Sequence, residues 1–510
     1  MSNQRSKQET MGNSAYSGPL RRGNPLNRDS GAADSGGLAA GDPAVGDPAT
    51  GGPAAGGQAA GGPAAFAIPY HGEELAAELL DKVFAGLPGP IAVRLWRGPT
   101  FMVGGDAQES SRARGEPRFI LVFRNPQAVR TLILERDPLR LVEAYFRGDI
   151  DIQGDLFAAL CLKDHLESMK VPLRDRLSAA LMALKLHSLN RQAAHTGLDA
   201  GPSHGRQVRS HSKDENRDAI QFHYDVSNEF YRLWLDRAMV YSCGYFERPD
   251  ISLDDAQQAK LEHICRKLML RPGERFLDIG CGWGALVIYA AQRYGVYAHG
   301  VTLSQKQLNI ARRRIVDAGL EDRVTVELRD YRDLQGREAY DKVASVGMFE
   351  HVGLKNLPLY FSTVHRLLKP TGLFLNHGIT HESAGWTKNP STLFINRYVF
   401  PDGELDSISS IQGYMESARF EIADVEALRS HYALTLRAWV ERLERRHARA
   451  LEYVSEATYR VWRLYMAASA LEFESGHIGI YQVLASKRGP YHARLPLTRR
   501  HLYEQEDALS

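Results

Sequence analysis

Between Arg275 and Ile379 the sequence switches repeatedly between strand and helix period, and the first switch carries three alternating glycines. Leu277-Asp278-Ile279-Gly280-Cys281-Gly282-Trp283-Gly284 joins an apolar run, RFLDI (275–279), to a helical pattern, ALVIYAAQRY (285–294). Glycines at such a turn let the backbone bend tightly and approach a ligand closely. The alternation then continues. VYAHGVTL (296–303) leads to a helix with Gln307, Leu308 and Ile310, followed by RVTVELRD (323–330) and DKVASVG (341–347). A helix through Leu357, Tyr360, Phe361, Val364 and Leu367 precedes GLFLNHGI (372–379). This spacing predicts an α/β architecture with a mostly parallel, doubly wound sheet. Ligands of such sheets sit beyond the carboxyl ends of the strands.

The rest of the chain divides by composition. Residues 1–65 are rich in Gly, Ala, Pro, Asp and Ser, with a five-residue repeat marked by Gly41, Gly46, Gly51, Gly56 and Gly61. Such a segment has almost nothing to bury and is expected to form a disordered tail. Residues 66–188 read as a small α+β domain. Two strand segments flank Arg97-Gly98-Pro99, another covers 117–124, and helices follow Pro126 and Pro138. Residues 189–216 are polar and read as a linker, whose His195, His204 and His211 lack metal-ligand spacing. The last domain, 217–510, ends in a helical stretch from Thr435 to Ala470. Leu436, Trp439, Val440, Leu443, Leu451 and Val454 lie on one side of it, and Arg442, Arg445, Arg446 and Arg449 on the other. Those arginines are expected to form a solvated face, with contact to anionic headgroups as the alternative.

Bulk properties narrow the function. A net charge of +2 on 510 residues argues against a general nucleic-acid binder. Cys161, Cys243, Cys265 and Cys281 show no paired spacing, which disfavours a disulfide scaffold or zinc site, and Cys161 and Cys265 read as small buried hydrophobes. No metal is expected. No apolar run approaches the roughly 18 residues of a membrane span, and the N-terminus lacks a signal-peptide core. A cytoplasmic protein is expected, reaching any membrane substrate from the surface.

The glycine turn is G-x-G-x-G rather than G-x-G-x-x-G. The next strand ends in Gly300-Val301-Thr302-Leu303-Ser304, without the acidic residue that a nicotinamide ribose usually meets. LDIGCGWG resembles the first motif of class I S-adenosylmethionine-dependent methyltransferases, a Rossmann-like fold. The resemblance implies cofactor contacts from Asp278, Gly280, Gly282 and Gly284, from Thr302, Leu303 and Gln307 at the ribose, and from Asp330 and Tyr331 at the adenine.

Further segments resemble the cyclopropane-fatty-acyl-phospholipid synthase and mycolic acid cyclopropane synthase family. They are His223-Tyr224-Asp225 with Asn228 and Tyr231, Tyr241-Ser242-Cys243-Gly244-Tyr245-Phe246, and Gly347-Met348-Phe349-Glu350-His351-Val352-Gly353. After these come His377-Gly378-Ile379, Phe400-Pro401-Asp402-Gly403, His431-Tyr432 with Thr435-Leu436, and Phe473 and Gly476 before Gln482-Val483-Leu484. The matches are ordered and run from about 217 to 488. The family resemblance implies methylene transfer from S-adenosylmethionine to the cis double bond of a phospholipid acyl chain. The alkene attacks the sulfonium methyl group, a carbocation forms, and bound bicarbonate takes a proton so that a cyclopropane closes.

By motif position the bicarbonate holders are Cys243 and Ile379 through their backbones, with Glu350, His377 and Tyr432, while Tyr241 and Ser242 lie against the cofactor. Tyr245, Phe246, Tyr398 and Phe400 are candidates to shield the cation. The small domain is similar to the extra domain of the phospholipid-acting branch, which implies a lipid-facing role, with a homodimer left open. Ser227, Asp402, Asp406 and Ala467-Ala468-Ser469-Ala470 depart from common family patterns. Three alternatives stay open: a fatty-acyl methyltransferase making methyl-branched (10-methyl-type) chains, a methyltransferase for small molecules or proteins, and a non-catalytic lipid-surface binding protein.

Overall fold

The computed structural model describes residues 71–84, 91–96, 98, 100–103, 117–134, 138–162, 226–385, 398–399, 404–490 and 493–503. The expected tail, the linker, the end of the small domain, His223-Tyr224-Asp225 and Phe400-Pro401-Asp402-Gly403 lie outside the described residues.

The N-terminal part runs α1 (His71–Phe84), β1 (Ile91–Arg94), β2 (Thr100–Val103), β3 (Phe119–Phe123), α2 (Pro126–Leu134), α3 (Pro138–Arg147), β4 (Ile150–Gly154) and α4 (Leu156–Leu160). Pro126 and Pro138 each open a helix, where a missing N–H costs nothing. The strands order as β2-β1-β3-β4, with β1 and β3 parallel. Leu80, Phe84, Val93, Phe123 and Val129 fill the core between sheet and helices. The expectation placed no element on β4, whose outward residues are polar and whose pattern is therefore weak. Cys161 caps α4 at the surface and is exposed, against the expectation of a buried hydrophobe, whereas Cys265 is buried.

The second part begins with α5 (Asn228–Trp234) and α6 (Leu253–Lys267). Ser227 caps α5, its hydroxyl accepting from the Phe230 N–H at 3.1 Å, so this departure from glycine supplies a cap. Then follow β5 (Arg275–Ile279), α7 (Ala285–Tyr294), β6 (Tyr297–Thr302), α8 (Gln305–Asp317), β7 (Val324–Leu328), β8 (Tyr340–Val346), α9 (Leu357–Leu367) and β9 (Leu368–His381). After these come α10 (Ile408–Ser417), β10 (Phe420–Ala427), α11 (Arg429–Arg445), α12 (Glu456–Ser475) and β11 (Ile478–Lys487).

The seven strands order as β10-β11-β9-β8-β5-β6-β7. β5 to β9 pair in parallel, and β11 runs antiparallel between β9 and β10. This is the predicted doubly wound α/β sheet with one reversed strand. β9 starts four residues before its predicted limit.

The helical stretch from Thr435 to Ala470 is not continuous. α11 ends at Arg445 and Ser455 caps α12, its side chain accepting from the Thr458 N–H at 3.1 Å. Leu451 and Val454 fall in the connection, and Leu451 is exposed. The arginine face is only partly solvated. Arg442 donates to the Leu235 carbonyl and pairs with Asp254, and Arg446 donates to the Leu233 carbonyl. These bonds clamp α11 onto carbonyls at the end of α5, which a helix end otherwise leaves unsatisfied. Among the described residues, no helix is long and apolar enough to cross a membrane.

Two buried arginines of α12 dock the N-terminal part. Arg460 donates to the carbonyls of Tyr145 (3.0 Å) and Ile150 (3.2 Å) and sits over the Tyr145 ring. Arg463 donates to the Tyr145 hydroxyl at 3.0 Å and pairs with Glu444.

Candidate active site

The turn after β5 is pinned to its neighbour strand, since the Gly280 and Cys281 N–H groups both donate to the Val301 carbonyl, at 2.9 and 3.0 Å. Gly284 starts α7 at φ +83°, and a Cβ there would lie 3.1 Å from that of Ala311 on α8. Glycine thus allows both the left-handed backbone and the close approach of the two helices. After β6, Ser304 caps α8 and Thr302 Oγ1 donates to Gln307 Oε1 at 2.8 Å. That knot fixes Thr302, Leu303 and Gln307 at the cleft. Tyr241, Ser242, Asp278, Gly280, Gly282, Thr302, Leu303, Gln307 and Tyr331 all line this one cleft at the carboxyl edge of β5 and β6. Gly284 and Asp330 do not line it. Gly284 serves helix packing, and the Asp330 carboxylate is held by the Arg332 guanidinium at 2.6 and 2.9 Å.

The cleft is also lined by Lys260 of α6, which the motifs did not indicate. Lys260 donates to Ser242 Oγ at 2.9 Å, and Gln257, behind it, donates to the Ser242 carbonyl at 2.8 Å. Burial pushes the Asp278 carboxyl up to about 7, with Lys260 pulling the other way, and pushes Lys260 down to about 8. Gln257, Lys260, His263 and Lys267 are all buried. Their spacing of three, three and four residues forms a polar stripe on the inward face of α6, and that stripe is visible in the sequence.

Beyond the end of β8, a short helical turn, Phe349–His351, presents Glu350 to β9. Glu350 Oε1 accepts from the Ile379 N–H at 2.7 Å, and Oε2 is buried without a hydrogen-bond partner among the described residues. Burial raises its carboxyl to about 7. A Cβ at Gly378 would fall 1.9 Å from the Phe349 ring, so glycine is what lets this turn reach the strand. His377 is fully buried on β9. Its Nδ1 meets Gln482 Nε2 at 3.1 Å, and its Nε2 has no partner among the described residues. Burial, then the charges of Lys260 and Lys267, hold it well below the ordinary histidine range.

Cys243, Tyr432 and Ile379 share one buried cluster with Tyr241 and Tyr465. Tyr432 packs on Phe473 at 4.7 Å. The Cys243 thiol donates to the Gly244 carbonyl at 3.2 Å and is pushed far up by burial, so it is no thiolate nucleophile. Its loop is held by α11. Thr435 Oγ1 accepts from the Gly244 N–H and His431 Nδ1 from the Phe246 N–H, each at 2.9 Å. Tyr465 hydrogen-bonds Tyr241 and Ser469 and feels the Glu350 charge. Of the expected cation shields, Tyr245 is stacked between His263 (4.2 Å) and His431 (5.0 Å), and Tyr398 donates to Glu143 at 3.2 Å. Phe246 is core and Phe400 is not among the described residues. The aromatic wall around Tyr241 is instead Tyr231, Trp234, Trp439 and Trp462, with ring centroids 5.2–6.2 Å from it.

Two buried, partnerless polar atoms, a carboxyl oxygen and an imidazole nitrogen, suit a small oxyanion that both donates and accepts hydrogen bonds. Bicarbonate meets that requirement, because its hydroxyl can donate to Glu350 while its oxygens accept from His377.

Comparison with known proteins bears on the fold and the family. Residues 211–483 match the family described as mycolic acid cyclopropane synthetase. The chain is 40% identical over 419 residues to a "Probable fatty acid methyltransferase" of Pseudomonas putida, covering 81% of this chain and 96% of that one. It is 42% identical over 265 residues to the cyclopropane-fatty-acyl-phospholipid synthase of Escherichia coli K12, covering 52% and 66%. The crystal structure of mycolic acid cyclopropane synthase CmaA1 complexed with S-adenosylhomocysteine superposes with a TM-score of 0.50 at 34% identity, over 53% of this chain and 98% of that one. The sheet order, the glycine-turn cleft and these matches together make the chain a member of the mycolic acid cyclopropane synthetase family, S-adenosylmethionine-dependent methyltransferases that act on lipids.

Proposed function

We propose that the protein transfers a methylene group from S-adenosylmethionine to the cis double bond of an unsaturated phospholipid acyl chain, closing a cyclopropane ring. The observation that carries this reading is that Glu350 Oε2 and His377 Nε2 are each buried without a partner among the described residues, while His351, next to Glu350, and Val346, opposite His377 in the sheet, line the cofactor cleft. When bound, S-adenosylmethionine supplies an electrophilic methyl group. Thr302, Gln307 and Tyr331 would seat it, with Tyr241 and Ser242 lining the same cleft. The alkene gains the methyl group as the methyl–sulfur bond breaks, releasing S-adenosylhomocysteine, and the chain becomes a cation. The tyrosine and tryptophan wall around Tyr241 shields that charge by about 0.5–2 kcal/mol per ring and keeps water from quenching it.

Ring closure requires loss of one proton from the added methyl group, so the chain gains one CH2 and loses its double bond. Glu350, His377 and Tyr432 would hold bicarbonate, which supplies the base. Neutral His377 donates from Nε2, and Glu350 accepts a hydroxyl proton. The substrate is met at the inner membrane face, from the cytoplasm.

A second reading is favoured by the name of the Pseudomonas putida relative. There the same cation undergoes a hydride shift, and the proton leaves to give a methylene-bearing chain, the precursor of a methyl branch once a reductant acts. Purified protein, unsaturated phosphatidylethanolamine vesicles and S-adenosylmethionine with a deuterated methyl group separate the readings. Cyclopropanation gives a chain bearing one CD2 that resists ozonolysis. A label on an ozonolysable carbon supports the second reading, and absence of label from every acyl chain overturns both.

A further inference from the structure

The face of the sheet that carries His377 also carries a buried polar row with no task in the reaction above. β11 lies between β9 and β10, and its Gln482 stands opposite His377 on one side and Glu426 on the other. Residues directly opposite in adjacent strands point to the same face. Gln482 is fully buried, and its one side-chain bond runs from Nε2 to His377 Nδ1 at 3.1 Å. At the far end of the row, Glu426 holds His263 Nε2 at 2.7 Å and the Lys267 ammonium at 2.6 Å, both from α6.

The direction of the Gln482 bond decides what His377 can do. An amide N–H that donates to Nδ1 makes that nitrogen an acceptor, so the ring proton resides on Nε2. With the amide turned over, its oxygen would take a proton from Nδ1 and leave a lone pair on Nε2. The structure holds the first arrangement, with the amide nitrogen and not the oxygen facing Nδ1. The Lys260 and Lys267 charges oppose a second ring proton.

We infer that Gln482 is a positioning residue of the active site, which fixes His377 as the Nε2–H tautomer so that the ring holds an anion and does not itself take the proton. The anion rests on the function proposed above, whereas the tautomer stands independently of it.

Nitrogen-15 NMR of histidine-labelled full-length protein tests this, with His377→Gln used to assign the signal. The wild type shows a protonated Nε2 and an unprotonated Nδ1. Gln482→Glu, whose carboxylate can only accept, moves the proton to Nδ1 or protonates both nitrogens. It lowers kcat about 100-fold or more while leaving S-adenosylmethionine affinity within about twofold. Gln482→Met, which keeps volume and removes the bond, gives mixed tautomers and an intermediate rate. A wild-type Nδ1–H signal overturns the inference, as does a Gln482→Glu protein with an unchanged tautomer. The correct tautomer in an enzyme whose rate ignores bicarbonate sustains the role of Gln482 and overturns the anion reading alone.

Discussion

The two halves of the sheet reach their functions by different means. On the β5–β6 side the cofactor cleft is made by main chain. A glycine turn is tied to β6 and a capped helix follows Thr302, so most of its frame comes from one run of about sixty residues, with Tyr241, Ser242 and Lys260 added from the segment before β5. On the β9–β11 side the chemistry is made by side chains drawn from far apart. Glu350 comes from a turn after β8, His377 from β9, Gln482 from β11 and Tyr432 from α11, with Tyr465 behind them on α12. The first half is locally encoded and tolerant of neighbours. The second depends on tertiary packing and holds polar atoms without partners, which costs stability and is kept at sites where a ligand completes the bonding.

Substitutions can break or sharpen this contrast. The largest effect belongs to Glu350→Gln, expected to lower turnover about 100-fold or more with S-adenosylmethionine affinity unchanged by calorimetry. A parallel loss of cofactor binding would mean that the halves are not separable.

The same residue gives a pH signature. Its carboxyl titrates near 7 in the folded protein, above its unfolded value, so the folded state binds the proton more tightly. Its stabilisation is fully present below about pH 4.5 and is lost as pH rises through 7, on the order of 3 kcal/mol. Thermal melts should therefore favour Glu350→Gln over wild type increasingly from about pH 5 to about pH 7.5.

Gly378→Ala comes next. Its Cβ would drive the Phe349 ring and Glu350 aside, costing about 1–3 kcal/mol in urea unfolding together with most of the activity. Gly282→Ala, with open space but φ +54°, should cost about 1–2 kcal/mol of strain and act on cofactor affinity instead. Arg460→Met removes the donors to the Tyr145 and Ile150 carbonyls. It should cost about 1–3 kcal/mol and make the N-terminal part, α1 to α4, cleave faster in limited proteolysis. Ser227→Ala, the smallest change, should cost about 1 kcal/mol by loss of the α5 cap.

The same contrast governs what the sequence reveals. RFLDI and ALVIYAAQRY fall on β5 and α7 to the residue, because strand period, glycine turn and helix period adjoin there. Asp278, Gly280 and Gly282 follow from that one turn, whereas Tyr241, Ser242 and Lys260 reach the cleft from other segments. The α11–α12 break escaped because the apolar spacing continues through Leu451 and Val454. Only the Ser455 cap, with Thr458 three residues on, signals the new helix. Gln257 and Lys260 were legible as a polar stripe on an otherwise apolar helix face, but a face is inward only once α6 has docked. Gln482 lies in a matched segment, Gln482-Val483-Leu484, but its role is not legible there, since it comes from the register of three strands that are distant in the chain.

The central claim is that a carbon from S-adenosylmethionine is placed on an acyl double bond and closed into a ring under Glu350 and His377. The most direct test is mass spectrometry of membrane lipids from a bacterium without its own cyclopropane synthase, expressing either the wild type or Glu350→Gln. The account predicts wild-type chains that have gained one CH2 and lost the double bond, with no branch on fragmentation, and unmodified chains with the variant. Branched or methylene-bearing chains, or equal product from Glu350→Gln, would contradict it.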